Sequence, residues 1–443
     1  MRRRAAIVLL LVGLLLALGG TGAGQKVYLD INAPGFKRLP IAIAPLVNLA
    51  RQRGGDRVGE EIAQVLTYDL EASGLFKVLD PISFIEDPAR AGIEREQIEF
   101  RDWSLIGAEA LVKGTVALDG SPPGELRVQF RLFDVVDARS LTGKEYRAQL
   151  RDVRKVAHRM ANEILYQFTG EEGVFETRIA FVSTRTGNKE LFLMDYDGFG
   201  VQQLTSHRSI NLSPAWTPDG RSLTFTSFRA GEPQLFRLNL AAGQLLRLSA
   251  SPGLNVGAAW APDGRRLALT LSRDGNPELY VMDRDGGGLQ RLTRHPGIDV
   301  SPTWSPDGQE IAFVSDRTGN PQIFVLTLRT GDLRRLTFQG SYNASPAWSP
   351  RGDRIAYACR TESSFDICTI SPDGSNSQRL TFAAGNNEHP SWSPDGRHLV
   401  FASNRATGRY ALYRMLANGS NLTRIATGSG EDLSPAWSPR LRE

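Results

Sequence analysis

Apolar residues in this chain gather into short runs separated by turn-forming words, and from residue 178 onward the runs recur with one period. RIAFVS at 178, SLTFTS at 222, RLALTL at 266, EIAFVS at 310, RIAYAC at 354 and HLVFAS at 398 are six copies of one apolar strand. Trp216, Trp260, Trp304, Trp348, Trp392 and Trp437 stand 44 residues apart, and 45 apart in the last interval. The unit near Ser301 divides into four strand-sized pieces, PTW, EIAFVS, QIFVLTL and LRRLTF. SPDG joins the first two as a tight turn: proline presets φ, aspartate bonds backbone amides, and glycine accepts the exit geometry. DRTGN closes the second hairpin and TGD the third. A four-stranded sheet this small buries too little alone, so neighbouring units must pack face to face, with the tryptophan as the repeated anchor. Four strands in a repeat of roughly 40–45 residues is the propeller pattern.

Six second strands predict six blades. The first copy lacks a tryptophan strand before it, and the strand around Trp437 has nothing after it. The C-terminal strand should therefore complete the first blade, closing the ring and removing exposed sheet edges. The extra residue of the last interval falls in NRATGR, against DRTGN two blades earlier. The predicted fold is a six-bladed β-propeller of four-stranded, WD40-like blades, preceded by a smaller α/β domain.

That smaller domain lacks the period. KRLPIAIAPL at 37–46 contains a short strand, GEEIAQVLTYDLEASG at 59–74 an amphipathic helix stopped by Gly74, and LFKVLDP a strand ended by Pro81. IEFRDWSLIG reads as a helical turn or two. ALVKGTVALDG, ELRVQFRLFDVV and LTGKEYRAQL predict three antiparallel strands, and Asp152 is a candidate cap for the helix running to Gly170. Upstream, QKVYLDINAPGFKRLP alternates apolar and polar residues through Val27, Leu29 and Ile31 and breaks at Pro34 and Gly35. It is either an edge strand of its own domain or an arm that adds to a partner's sheet.

Residues 1–23 change the picture of charge. Three arginines, an apolar stretch from Ala5 to Leu18 and small residues up to Ala23 have the layout of a secretory signal. The predicted division is 1–23 signal peptide, 24–170 N-terminal α/β domain with its arm, and 171–443 propeller. Lys and Arg total 52 against 48 Asp and Glu, a net charge of +4, but Arg2, Arg3 and Arg4 supply three of these charges. Basicity is thus no argument for nucleic acid, and no later apolar stretch reaches membrane length. The mature chain is expected to be exported, soluble, uninserted in the membrane and monomeric. Two cysteines and five histidines do not build a large metal centre. Cys359 and Cys368 fall on adjacent strands of the fifth unit, where they are either a disulfide or two buried small apolar side chains.

Candidate chemistry is sparse. GxSxG and HExxH words are missing, which argues against a hydrolase. A polar residue stands five positions before each tryptophan: Asn211, Asn255, Asp299, Asn343, Asn387 and Asp432. Each precedes an innermost strand, so the six should ring one mouth of the central channel. Either each side chain bonds its own backbone to fix the turn, or the ring also binds a cation near Asp299 and Asp432 or a partner segment. Carboxylate and amide oxygens are hard ligands suited to calcium, though no cofactor is required for folding. Asp299 and Asp432 lie three blades apart, too far for a glycosidase pair. His207 and His295 lie on the same connectors. The expectation is a binding protein rather than an enzyme.

The words SPTWSPDG, FVSDRTGNPQIFVL and RRLTF, with PIAIAPL, LEASGLFKVLDP and ALVKGTV before them, resemble the TolB family over essentially the whole chain. The resemblance implies a periplasmic component of the Tol-Pal envelope system of Gram-negative bacteria, supporting outer-membrane integrity and constriction at cell division. It implies a mouth that binds the peptidoglycan-associated lipoprotein Pal, with calcium in the channel. It implies an N-terminal arm that binds TolA, corresponding here to Gln25, Lys26, Val27, Tyr28, Leu29, Asp30, Ile31 and Asn32. The alternative is a periplasmic carbohydrate-active or peptidase-accessory propeller. Two departures, GAAW at 257–260 and PRGD at 350–353, put local turn geometry in question.

Overall fold

The computed structural model describes residues 37–48, 54–87, 92–119, 124–361, 364–382, 384–425 and 428–441. The signal segment and the arm Gln25–Asn32 lie outside the described residues.

The N-terminal domain is a mixed sheet with two long helices packed against it. Its elements are β1 (Leu39–Ile43), β2 (Val47–Asn48), α1 (Gly55–Ala72), β3 (Phe76–Val78), α2 (Phe100–Leu105), β4 (Ala110–Asp119), β5 (Glu125–Asp134), β6 (Arg139–Gln149) and α3 (Val153–Thr169). The sheet order is β3-β1-β4-β5-β6, with β2 pairing β4. β1 is parallel to both β3 and β4, whereas β4, β5 and β6 are antiparallel. Alternation along β5 puts Leu126, Val128, Phe130 and Leu132 against the helices. Asp152 precedes α3 but makes no side-chain cap bond; its carboxylate pairs with Lys155 at 2.8 Å instead. Gly170 ends α3 at φ 70°.

Six four-stranded antiparallel sheets follow. Blade 1 joins the C-terminal strand Asp432–Trp437 to Arg178–Ser183, pairing Trp437 with Ile179 and Asp432 with Ser183. This is the ring closure that the repeat count predicts. Blades 2 to 6 begin at Asn211, Asn255, Asp299, Asn343 and Asn387. The tryptophans stitch neighbouring blades: the Trp304 indole N–H donates to the Ala259 carbonyl at 3.0 Å, and Trp392 to that of Ala347 at 2.9 Å.

Each innermost strand carries a bulge at its third residue. Ser213, Ser301, Ser345, His389 and Ser434 have φ between 46° and 55°, and Gly257 has φ 65°. GAAW therefore keeps the geometry, because glycine adopts the left-handed conformation more readily than serine. In the other departure Gly352 holds φ 76° where Gly308 holds 70°, so Arg351 replaces an aspartate within an unchanged turn. The Arg351 Nε donates to the Asp395 carbonyl at 2.5 Å. The longer last interval is also explained. Gly319 N–H bonds the Asp316 carbonyl three residues back, whereas Gly408 bonds Asn404 four residues back.

The N-terminal domain sits on the end of the propeller where the tryptophan strands finish. His398 Nε2 meets the Ala72 carbonyl at 3.0 Å, and Glu171 bridges Arg351 and Arg397, each at 2.9 Å. One apolar core runs from α1 and α3 through Phe175 and Tyr196 to Leu412. The residues that open the innermost strands lie at the opposite end.

Candidate functional site

The mouth is built from two kinds of loop: the connectors entering each blade and the hairpins between second and third strands. The six connector residues Asn211, Asn255, Asp299, Asn343, Asn387 and Asp432 all sit there, and all are buried. Part of their bonding is local. Asn255 donates to the carbonyls of Ser251 at 2.7 Å and Gly253 at 3.1 Å, and accepts the Ser251 amide at 3.1 Å.

Much of it instead crosses to the preceding blade. Asn211 donates to Glu190 at 2.8 Å, Asn343 to Gln322 at 2.8 Å, and Asn387 to Asp366 at 3.3 Å. The same acceptors take a threonine hydroxyl from just past the fourth strand: Thr205 to Glu190 at 2.5 Å, Thr337 to Gln322 at 2.8 Å and Thr381 to Asp366 at 2.7 Å. Polar groups buried in this way hold neighbouring blades in register.

Where the connector residue is an aspartate, arginine enters. Arg317 donates to Asp299 at 2.7 Å, and Arg185 to both oxygens of Asp432 at 2.9 and 3.1 Å. Arg405 makes the same bond to Asn387 at 2.7 Å. All three belong to a Ser-x-Arg word at the end of the second strand. The Nε of each donates to that serine: Arg185 to Ser183 at 2.9 Å, Arg317 to Ser315 at 2.8 Å, Arg405 to Ser403 at 3.0 Å. Glu278, the blade 3 counterpart of Glu190, is met by Arg291 at 2.9 Å. Burial pushes its carboxyl upward, but the Thr293 hydroxyl, the His295 amide and Arg291 outweigh this and hold it below the usual glutamate range.

His295 is tied into its own turn, its Nδ1 accepting the Gly297 amide at 2.9 Å. His207 lies half-buried on the connector to blade 2. The structure does not bring the two histidines and the two aspartates into one cluster. Among the described residues, no three His, Cys, Asp or Glu side chains converge as metal ligands. Calcium takes six to eight oxygens. Arg185 takes both oxygens of Asp432, but Arg317 takes only Oδ2 of Asp299, and among the described residues the buried Oδ1 atoms of Asp299, Asn211 and Asn343 have no hydrogen-bond partner.

Around this rigid ring the surface is apolar. Ile210, Leu254, Ile298 and Tyr342 directly precede four of the six ring residues and are exposed, as are Phe338 (72%) and Phe382 (66%) on two connectors. Arg335 and Arg379 lie over the two phenylalanine rings at 4.8 and 5.1 Å. Exposed aromatic and apolar groups interleaved with arginine are the composition of protein interfaces. Cys359 and Cys368 are bonded in blade 5, their Cα atoms 5.9 Å apart.

A second polar cluster, unanticipated from the sequence, lies in the seam between the domains. Asp69 on α1 is fully buried, with His158 Nδ1 of α3 at 2.7 Å and the Tyr196 hydroxyl of blade 1 donating to it. Arg154 of α3 pairs with Asp197 of blade 1, and His158 Nε2 lies 3.5 Å from the same carboxylate. Arg414 of blade 6 is buried over Tyr68 and Tyr196. The members lie far apart in sequence and carry no spacing signal; only the repeat period, which singles out Tyr196 and Arg414 as departures, could have pointed to them.

Comparison with known proteins adds to this geometry. The family model described as the TolB beta propeller domain matches residues 165–441, and that of the TolB amino-terminal domain matches residues 27–141. The Tol-Pal system protein TolB of Syntrophotalea carbinolica is 48% identical over 209 residues, 47% of this chain and 47% of that protein. That of Geobacter sulfurreducens is 44% identical over 201 residues, 45% and 44% of the two chains. These matches span about half the length of the curated relatives. The crystal structure of TolB from Acinetobacter baumannii superposes with a TM-score of 0.80 at 30% identity, covering 94% of this chain and 100% of that one. A chain of the nidogen/laminin complex, at 12% identity and TM-score 0.51, shares the fold alone.

Proposed function

The chain belongs to the TolB family, and from that premise we propose that it is a non-enzymatic, periplasmic protein-interaction component of the Tol-Pal envelope system. In this reading the mouth binds the Pal lipoprotein and the arm Gln25–Asn32 binds TolA, and the complex supports outer-membrane integrity and constriction at division. The observation that carries it is the mouth itself: exposed Ile298, Phe338, Tyr342 and Phe382 around a ring of mutually bonded buried polar groups. A surface of that kind suits a folded partner better than a small substrate, because its exposed apolar and aromatic side chains are spread around the rim rather than gathered in one enclosed pocket. The N-terminal domain packs on the far end and leaves this surface to a partner.

The test is a pull-down from envelope extract of a Gram-negative host, with captured proteins identified by mass spectrometry. Mature chain, a form lacking residues 24–33, and Asp299→Ala with Asp432→Ala are compared. Loss of TolA from the truncated form and weakened Pal capture by the double variant are expected. Equal capture of both partners by all three forms would overturn the assignment.

A further inference from the structure

The seam between blades 2 and 3 departs from the repeat at three places. Opposite the residue that precedes each tryptophan, the second strand carries Ala180, Ala268, Ala312, Ala356 or Val400, but Thr224 in blade 2. One strand further out stand Leu193, Val281, Val325, Thr369 and the buried Arg414, but Arg237 in blade 2. On the fourth strand Leu246 takes the place held elsewhere by glutamine, arginine or threonine. Thr224 acts directly on Trp260. The indoles of Trp216, Trp304 and Trp392 donate to the carbonyls of Ala436, Ala259 and Ala347. The matching acceptor for Trp260 is the Ala215 carbonyl, but the Thr224 hydroxyl takes that oxygen at 3.2 Å and receives the Trp260 N–H itself, also at 3.2 Å. Trp260 is left half-buried, where its five counterparts are 6–9% exposed.

The uncovered indole lines a pocket of about 520 Å³ between the two blades, a volume suited to a small ligand. Five charged groups share its wall: Arg221, Arg237 and Arg284 against Asp219 and Asp263, a net charge of +1. Both carboxylates hold their own turns. Asp219 accepts the Thr217 hydroxyl at 2.6 Å and the Arg221 amide at 3.0 Å, and Asp263 accepts the Arg265 amide at 2.9 Å. Asp283 and Asp285 flank Arg284 in the chain but lie outside the wall, and Asp285 accepts the Gly287 amide at 3.1 Å. Arg237 donates to the Arg284 carbonyl at 2.8 Å. Among the described residues, none of the three guanidiniums makes an ion pair within 4.0 Å. Asn239 spends its side-chain oxygen on the Ala241 and Ala242 amides at 3.1 and 2.8 Å, so its NH2 remains as a donor.

We propose that this pocket binds a carboxylate-bearing sugar. The C–H face of the ring lies on Trp260, the hydroxyls meet Asn239 and Gln244, and the forks of Arg221 and Arg284 take the carboxylate. A bare phosphate or sulfate would leave the indole and Leu246 uncovered, and an extended acidic peptide would lie mostly outside a pocket of this volume. The site is independent of the mouth, which opens at the other end of the ring.

D-glucuronate and glucose, which differ by one carboxylate, are titrated into the purified mature chain by saturation-transfer NMR. Glucuronate should bind saturably with a Kd of about 1 mM, as expected for so small a ligand, and glucose at least about tenfold more weakly. Arg221→Gln with Arg284→Gln, both exposed side chains, should bring glucuronate down to the level of glucose with an unchanged melting temperature. Thr224→Ala, which copies the other blades, should let the indole reach the Ala215 carbonyl and weaken both sugars severalfold. Equal binding of the two sugars by wild type, unchanged binding by either variant, or no saturable glucuronate binding up to about 20 mM would overturn the proposal. So would an acetylated triglutamate peptide that binds the same arginines as tightly as glucuronate, since the pocket would then take peptide carboxylates. Each of these outcomes leaves the mouth's partner capture to its own measurement.

Discussion

Replacing His158 with alanine tests the seam between the two domains. His158 is 3% exposed and stands between two buried carboxylates, 2.7 Å from Asp69 and 3.5 Å from Asp197. Burial pulls the imidazole pKa down, but Asp69 and then Asp197 outweigh it and hold it above the ordinary histidine value of about 6.5. Asp69 is itself pushed up by burial, against the pull of His158 and Tyr196, so the pair holds a proton tightly. Removing the imidazole leaves Asp69 with the Tyr196 hydroxyl and no cation bonded to it, a loss expected to cost about 3–5 kcal/mol. Urea unfolding near pH 6.5, followed by tryptophan fluorescence, measures this. Because His158 binds its proton more tightly folded than unfolded, its contribution is fully present below the unfolded value of about 6.5. It is lost as pH rises through the raised folded value. Wild-type stability should therefore fall from neutral pH upward, and His158→Ala should flatten that slope. A cost below about 1 kcal/mol, or a wild-type stability that rises over this range, would refute the reasoning.

Two further outcomes follow from local geometry. Gly198 and Gly257 both have positive φ, but an added Cβ at Gly198 would lie 1.9 Å from the Ile425 carbonyl oxygen, whereas at Gly257 its nearest neighbour is 3.7 Å away. Gly257→Ser, which copies the other blades, should cost about 1 kcal/mol by denaturant melt, and Gly198→Ala at least twice that. Cys359→Ser with Cys368→Ser opens a loop of nine-residue separation and should lower stability by about 2–3 kcal/mol; the same loss should appear when the wild type is reduced.

The architecture was readable because each blade repeats the same burial problem at the same period. Trp304 and its equivalents mark the blade interfaces, and the unmatched strand at Trp437 marks the closure. The inventory of mouth residues was readable for the same reason. Their bonding was only partly so. Asn255 fixes its own connector as a turn residue does, but Asn211 and Asn387 reach acceptors on the preceding blade, and that lateral contact exists only once neighbouring blades pack. The Ser-x-Arg words were present in the sequence as VSTR, VSDR and ASNR. They read as hairpin polarity, since nothing in their spacing says that the guanidinium turns inward onto Asp432, Asp299 or Asn387. The seam was least legible. Asp69 and His158 are 89 residues apart, and a polar residue on the apolar face of each helix signals no partner until the helices pack.

The most direct measurement is calorimetric titration of the soluble lipoprotein partner into Phe338→Ala with Phe382→Ala. Both side chains are largely exposed, so the fold should be indifferent to their loss. If the mouth is the partner surface, affinity should drop by about tenfold or more with an unchanged melting temperature. Affinity equal to wild type would contradict the account.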